Sequence, residues 1–462
     1  MSLEGAIAAH RFGLGARPGE IEAASASPKS WLRRQLDGPV DQPQPLDGGE
    51  PFHSTAALLA ELMQYREALQ MAKRMGNDAL ATTAPNPLKM FFDSRRAPYL
   101  REMAARFALG FTTQKPFAEH LVWFWSNHFT VSTSNPATLT LIGAFEREAI
   151  RPHVTGKFED MLLAVTRHPA MLIYLDNAQS IGPDSIAGTR SGKGLNENLG
   201  RELMELHTLG VDGGYTQADV IALAKILTGW SVDRDGGGTA GFRFYPARHE
   251  PGDIVLRGKT YSGGEESGIQ ALRDLAHDPA TARHIARKLA AHFVADNPPA
   301  ETVARLQESF TSTGGDLRAL AETIVDDPRA WTSRPAKVRS PVEYTTAALR
   351  LLAWPHEGDR EKQVKGVMGA TRMMGEFPFG AASPKGWPDN SDAWSGPDAL
   401  LNRIEWAKEL GARMPQNVDA VSVAEMGLGP LLTAGTRAAI KACPNAGEAV
   451  ALLVSSPEFQ RR

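Results

Sequence analysis

Asn198, Arg201, Glu202 and Glu205 follow one another at i, i+3, i+4 and i+7 within GLNENLGRELMELHTLG, the stretch from Gly194 to Gly210. On an α-helix that spacing draws a single polar stripe. At about 100° per residue, Leu195, Leu199, Leu203 and Leu206 make an apolar face, and the stripe lies beside it at the edge of the core. Two carboxylates one turn apart with an arginine between them are suited to acid–base chemistry. Their coupling raises one pKa, and the guanidinium keeps the other group ionised. The same set would also suit a hard metal ion or the cationic part of a ligand. A plainer reading fits as well, because Glu197 with Arg201 and Arg201 with Glu205 are ordinary i, i+4 pairs of a solvated helix.

A second group lies in HLVWFWSNHFTVSTS, where Leu121, Trp125 and His128 share a helical face. His128 then sits at a helix C-terminus, where the dipole favours its cationic form; it reads either as a structural cap or as a general base or ligand facing the carboxylates. Asn127 stands beside it as a secondary candidate. In MLIYLDNAQSIG, Asp176 and Asn177 close an apolar segment just before a Gly/Ser-rich loop. Asp176 is a further secondary candidate at a position where turn formation is the ordinary role. Arg283, His284, Arg287, Lys288 and His292 offer an anion-binding face, with a solvated basic face as the plain alternative.

Several familiar motifs fail. GTRSGKGL is one residue short of P-loop spacing, and its lysine is followed by Gly194 in place of Ser or Thr. There is no H-E-x-x-H, no G-x-S-x-G and no G-x-G-x-x-G after a strand. The Glu-x-x-His pairs of a di-iron bundle are missing too, since Glu202 is followed three residues later by Glu205. The sequence names no cofactor and leaves the metal content open.

The elements that would position these residues are helices. In YTQADVIALAKILTGW, Thr216 caps a first turn with Asp219 three residues on, and Val220, Leu223, Ala224 and Leu227 form the apolar stripe. In HDPATARHIARKLAAHFV, Asp278 is the N-cap and Pro279 the first helical residue. Helical period also runs through 99–111, 117–128, 158–165, 302–310, 342–352 and 400–410. The fold class is therefore mainly α, a large multi-helix domain over 1–462 with no internal boundary. One small β-hairpin is expected around 242–262, where β-favouring residues alternate and Glu250 to Asp253 supply a turn. Loops fall at PVDQPQPLDGGEP, at GPDSIAGTRSGKG as a mobile lid, and at DRDGGGTAG.

Bulk composition narrows the function classes. With 42% hydrophobic and 22% charged residues, the chain is an ordinary globular protein, and a formal charge of −3 is not the footprint of a nucleic-acid binder. Cys443 is the single cysteine, so neither an internal disulfide nor a multi-cysteine zinc site is available. No run of about 18 apolar residues suggests a membrane span, and MSLEGAIAAHRFGLGARPGE does not have the form of a signal peptide. A soluble protein is expected, with its oligomeric state open.

Over nearly the whole chain, RFGLGARP, WFWSNHFTVS, IRPHVTGKFEDMLLAVTRHPAMLIYLDNAQS, GLNENLGRELMELHTLGVDGGYTQADV, LTGW, RKLAAHFV and PKGWPDNSDAW resemble the bacterial DUF1800 family, a domain of unknown function. The resemblance implies a mainly helical protein. It also implies a sulfatase-like genomic neighbour carrying export signals, and hence a periplasmic or extracellular setting, with a cytoplasmic one left open by the lack of a leader. Asn198, Arg201, Glu202 and Glu205, together with Trp125, Asn127 and His128, belong to the family's signature. Where the family has His-Asp in the hairpin, this chain has His249-Glu250. Two functions follow as expectations. One is an accessory or scaffold protein working with a sulfatase-like partner. The other is a hydrolase or lyase acting on an extracellular polymer or conjugate, with Glu202 or Glu205 as acid or base, Arg201 as tuner and His128 as a second proton carrier.

Overall fold

A computed structural model describes residues 1–74, 94–136, 138–192, 194–233, 238, 241–332, 335–353 and 360–462. Helices dominate these residues, and the strands form two small antiparallel pairs. One contiguous hydrophobic core draws on positions from Ile7 to Phe459. Among the described residues, no helix is long and apolar enough to cross a membrane.

Local signals place most helices. The reciprocal capping box of Thr216 and Asp219 starts helix Gln217–Ile226, and the Asp278 side chain accepts the Ala280 N–H at the start of Pro279–Phe293. The periodic segments become Arg96–Thr112, Pro116–His128, Phe158–Arg167, Ala300–Ser312, Pro341–Leu351 and Pro397–Ala412. Within the 182–194 segment, Ser185 caps a short helix, Ile186–Ser191. Most of DRDGGGTAG lies outside the described residues.

The expected hairpin divides in two. Strands β1 (Trp230–Val232) and β2 (Phe242–Phe244) pair with each other, and β3 (Ile254–Leu256) pairs with β4 (Lys259–Tyr261). Pro246 opens a 3-10 turn after β2 and Pro251 follows it; neither has an N–H to donate to a ladder, so β2 cannot continue into β3. Here His249 Nδ1 meets the Thr228 carbonyl at 2.9 Å and its Nε2 accepts the Gly264 N–H, while Glu250 pairs with Lys225.

The helix opened by Asn198 is not uniformly α. It runs Asn198–Glu202 and continues as a π turn, Leu203–His207. The wider turn shifts every later side chain around the axis. Met204 and His207 are therefore fully buried while Leu206 is only half-buried, where a regular helix would have buried Leu206.

Buried guanidinium groups tie distant segments together. Arg151 donates to both Glu119 oxygens at 2.7 and 2.8 Å and to Glu146, and Glu146 also accepts from Arg106 and Ser126. Arg350 donates to the carbonyls of Gly15 and Gly110 and to Glu20. Near the chain end, Lys337 and Arg462 exchange backbone hydrogen bonds around the Val338–Arg461 bridge. That pairing carries the buried Arg462 side chain into the wall of a cleft shared with His120, His292 and Glu343.

Candidate metal centre

His120 projects from helix Pro116–His128, His292 from the last turn of Pro279–Phe293, and Glu343 from the first turn of Pro341–Leu351. Their ligand atoms all lie within 4.8 Å of one another. His120 Nε2 is 3.0 Å from His292 Nε2 and 3.1 Å from Glu343 Oε1. All three side chains are buried.

The outer contacts decide which ring nitrogens carry hydrogen. His120 Nδ1 faces the Phe12 carbonyl at 2.9 Å, and His292 Nδ1 faces Asp389 Oδ1 at 2.8 Å. Both partners only accept, so both Nδ1 atoms must donate. Burial disfavours a second proton: it lowers the pKa of His120 and takes that of His292 down to about 4. Each neutral ring then directs an Nε2 lone pair at the other, with a carboxylate oxygen alongside. Lone pairs at that range repel unless a positive centre lies between them. Donors about 3.3 Å apart are what a tetrahedral zinc ion with bonds of about 2.0–2.1 Å requires. The two His120 distances come near this, while the set as a whole is within 4.8 Å, so His292 and Glu343 would close on the ion by a small side-chain shift. The Nδ1 hydrogen bonds to a carbonyl and a carboxylate are the outer contacts that orient metal-bound imidazoles.

The neighbouring segments hold this arrangement. The π turn Ala8–Phe12 ends where the Phe12 carbonyl meets His120. Ser340 and Glu343 form a capping box that uses Glu343 Oε2, leaving Oε1 for His120 and for Arg462 at 2.8 Å. Burial alone would raise the Glu343 pKa, but the Arg462 guanidinium holds it well below the usual carboxylate range. Burial would likewise raise Asp389, whose contact with His292 holds it at about 2. Asp389 sits on a loop clipped to Asn127, which donates to the Trp387 carbonyl at 2.9 Å and accepts its N–H at 2.8 Å. Gly386 is required in that clip: its φ is +80°, and a Cβ would lie 2.6 Å from the Asn127 carbonyl oxygen.

These groups line a cleft of about 100 Å³ whose walls include Phe379, Trp387, Trp394 and Glu376. Glu376 is pushed up to about 7 by burial, against the hydrogen bonds of Ser340 and the Val342 N–H.

The residues singled out from sequence are placed differently. Glu202 and Glu205 are half-buried; burial and then the Glu205 charge raise the Glu202 pKa, while Arg201 opposes the rise. Arg201 pairs with Glu197 at 2.9 Å and also donates to Gln217, and Asn198 is exposed. Asp176 adopts φ +59° ahead of a short 3-10 turn. His128 is buried with Nε2 3.1 Å from the His207 carbonyl, among the rings of His207 and His284. Among the described residues, no hydrogen bond or ion pair joins it to Glu202 or Glu205. Its expected cationic form is overturned: burial, then Lys288 and the two histidines, place its pKa well below the usual value, and these outweigh the helix dipole. Of the residues singled out from sequence, Asn127 and His292 line the cleft.

Two buried histidines away from the cleft make stability depend on pH. His10 donates from Nε2 to Gly427 and accepts from Arg339, and His207 has neither ring nitrogen hydrogen-bonded. Both pKa values are lowered to about 3, chiefly by burial. From about pH 6.5 down to about pH 3 the unfolded chain binds protons at these residues that the folded chain refuses. Stability is then full above that window and falls by about 1.4 kcal/mol per pH unit for each. Urea denaturation between pH 7 and 4 is expected to show a shallower fall for His207→Leu than for the wild type. Equal slopes would remove His207 from the account.

Residues 7–461 match the family model described as a protein of unknown function (DUF1800). No curated protein and no solved structure matches the chain.

Proposed function

This chain belongs to the DUF1800 family of proteins of unknown function, and we propose that it is a hydrolase holding one divalent transition-metal ion, zinc in the first instance, on His120 Nε2, His292 Nε2 and Glu343 Oε1. The observation that supports this reading is the pair of neutral imidazole lone pairs facing each other beside a carboxylate, each ring fixed by a donated Nδ1 hydrogen bond. Such an ion supplies Lewis-acid polarisation of a substrate oxygen or of water. Glu376, in the same cleft and with its pKa near 7, takes up and returns a proton at neutral pH. Arg462 keeps Glu343 ionised, and Phe379, Trp387 and Trp394 give the substrate apolar walls.

Zinc titration of chelator-treated protein by calorimetry is expected to show one ion per chain with Kd below about 1 µM, a binding free energy beyond about 8 kcal/mol. Folded protein that takes up no zinc would overturn the reading. So would a site that takes ferrous iron and refuses zinc, since two histidines and a carboxylate also suit oxidative iron chemistry.

An accessory role beside a sulfatase-like partner in the cell envelope is a second reading. The observation favouring it is the apolar Leu400, Leu401 and Ile404, exposed on helix Pro397–Ala412, with Met373 exposed nearby. Co-purification of such a partner from native cells, lost on replacing Leu401 by Asp, would support it.

A further inference from the structure

A second cleft, about 660 Å³, opens beside the candidate metal centre and shares Lys337, Trp387, Pro388 and Asp389 with the first. Its two carboxylates are already engaged: Asp296 pairs with Lys337 at 2.8 Å, and Asp389 holds His292. Three cations in the same cleft are not. Arg287 and Lys288 come from helix Pro279–Phe293 and Lys385 from the Trp387 loop, and among the described residues none of the three side chains makes a hydrogen bond or an ion pair.

Lys288 carries the argument. It is half-buried, and burial and the Lys385 charge both act against its ammonium form, with only the Asp389 charge in its favour. A partly desolvated cation facing further cations gains most from an oxyanion, which would offset their mutual repulsion. The chain as a whole is slightly acidic, with a formal charge of −3, so this local excess is not a general property of its surface. Lys288 also precedes His292 by four residues on the same helix, and one turn separates their side chains by about 5–6 Å. An anion held by Lys288 would therefore lie next to the His292 ligand.

We propose that this cleft binds a tetrahedral oxyanion, a phosphate or sulfate group, of the substrate. Lys288, Lys385 and Arg287 would recognise the group, and the bond to be cleaved would lie one helical turn away. The assignment of the anion to a substrate rests on the hydrolase reading; the anion site itself does not.

The test uses chelator-treated protein, so that the anion cannot bind to metal, with inorganic phosphate and inorganic sulfate as separate probes in calorimetry at fixed ionic strength. Binding of at least one is expected, weakened at least 10-fold in the double variant Lys288→Met, Lys385→Met, with zinc affinity unchanged. Tighter phosphate identifies a phosphate ester as the substrate class, and tighter sulfate a sulfate ester. Either result supports the proposal. It is overturned if neither probe binds, or if both bind the double variant as they bind the wild type. The single variant Lys385→Glu, on an exposed loop residue, repeats the test should the double variant fold poorly. Zinc uptake without anion binding sinks this inference and spares the hydrolase reading. Lysine-dependent anion binding without zinc uptake does the reverse.

Discussion

Replacing His292 by alanine is expected to weaken zinc binding at least about 100-fold, the largest functional effect of any single substitution considered for this protein. The loss removes one of three ligand atoms and also the ring that Asp389 orients. Asp389→Asn, which keeps the shape but supplies a poorer acceptor to Nδ1, is expected to cost about 10- to 100-fold, the range for residues that orient a metal-bound imidazole. Metal-free His292→Ala should stay folded, because the change also removes one of two lone pairs that oppose each other 3.0 Å apart. The measurement is the zinc dissociation constant by competition with a chromophoric chelator, with a thermal melt of each metal-free variant alongside. Wild-type affinity in folded His292→Ala would place the ion elsewhere or nowhere.

Arg151→Met carries the largest expected loss of stability, about 3–5 kcal/mol. Arg151 is 1% exposed and donates to two carboxylates that are themselves 2% exposed, so its removal leaves Glu119 with the Trp123 N–H and no cation among the described residues, and Glu146 with Arg106 and Ser126. Burial alone would raise the Glu146 pKa; Arg106 and Arg151 together hold it down. Without Arg151 that carboxyl titrates at higher pH, and protonation relieves the strain. The gap between variant and wild type is therefore expected to narrow as pH falls from 7 to 5, as urea denaturation at the two values would show. A constant gap would mean that packing around Arg151, and not its charge, supports the core.

Helix positions follow from short-range physics and were readable from residues alone. Thr216 with Asp219, and Asp278 with Pro279, act within one turn, and apolar residues three or four apart set the buried face of 99–111 and 158–165 whatever lies opposite. The SPVE run that caps helix Pro341–Leu351 was equally present in the sequence. Its glutamate reads as a helix-start residue, however, and only burial against His120 and Arg462 makes it a candidate ligand. The π turn at Leu203–His207 was not readable, because one widened turn changes neither composition nor apparent period; it is selected by what packs around it.

The candidate centre was beyond the sequence for a related reason. His120 and His292 meet across 172 positions, His120 and Glu343 across 223, and Asp389 joins from 97 residues past His292. His120 was one more residue in an aromatic helix. His292 belonged to a run of basic residues whose plain reading was a solvated face, and on that helix the tertiary structure sorts them: Arg283 stays exposed outside both clefts, while His284, Arg287, Lys288 and His292 line one or the other. Residue types and near-neighbour spacing determined where helices start, stop and bury themselves, since those interactions act over one or two turns. Which buried nitrogens and oxygens face one another is set by helix packing and by the pairing of residues 337–339 with 460–462, and only the tertiary structure decided that.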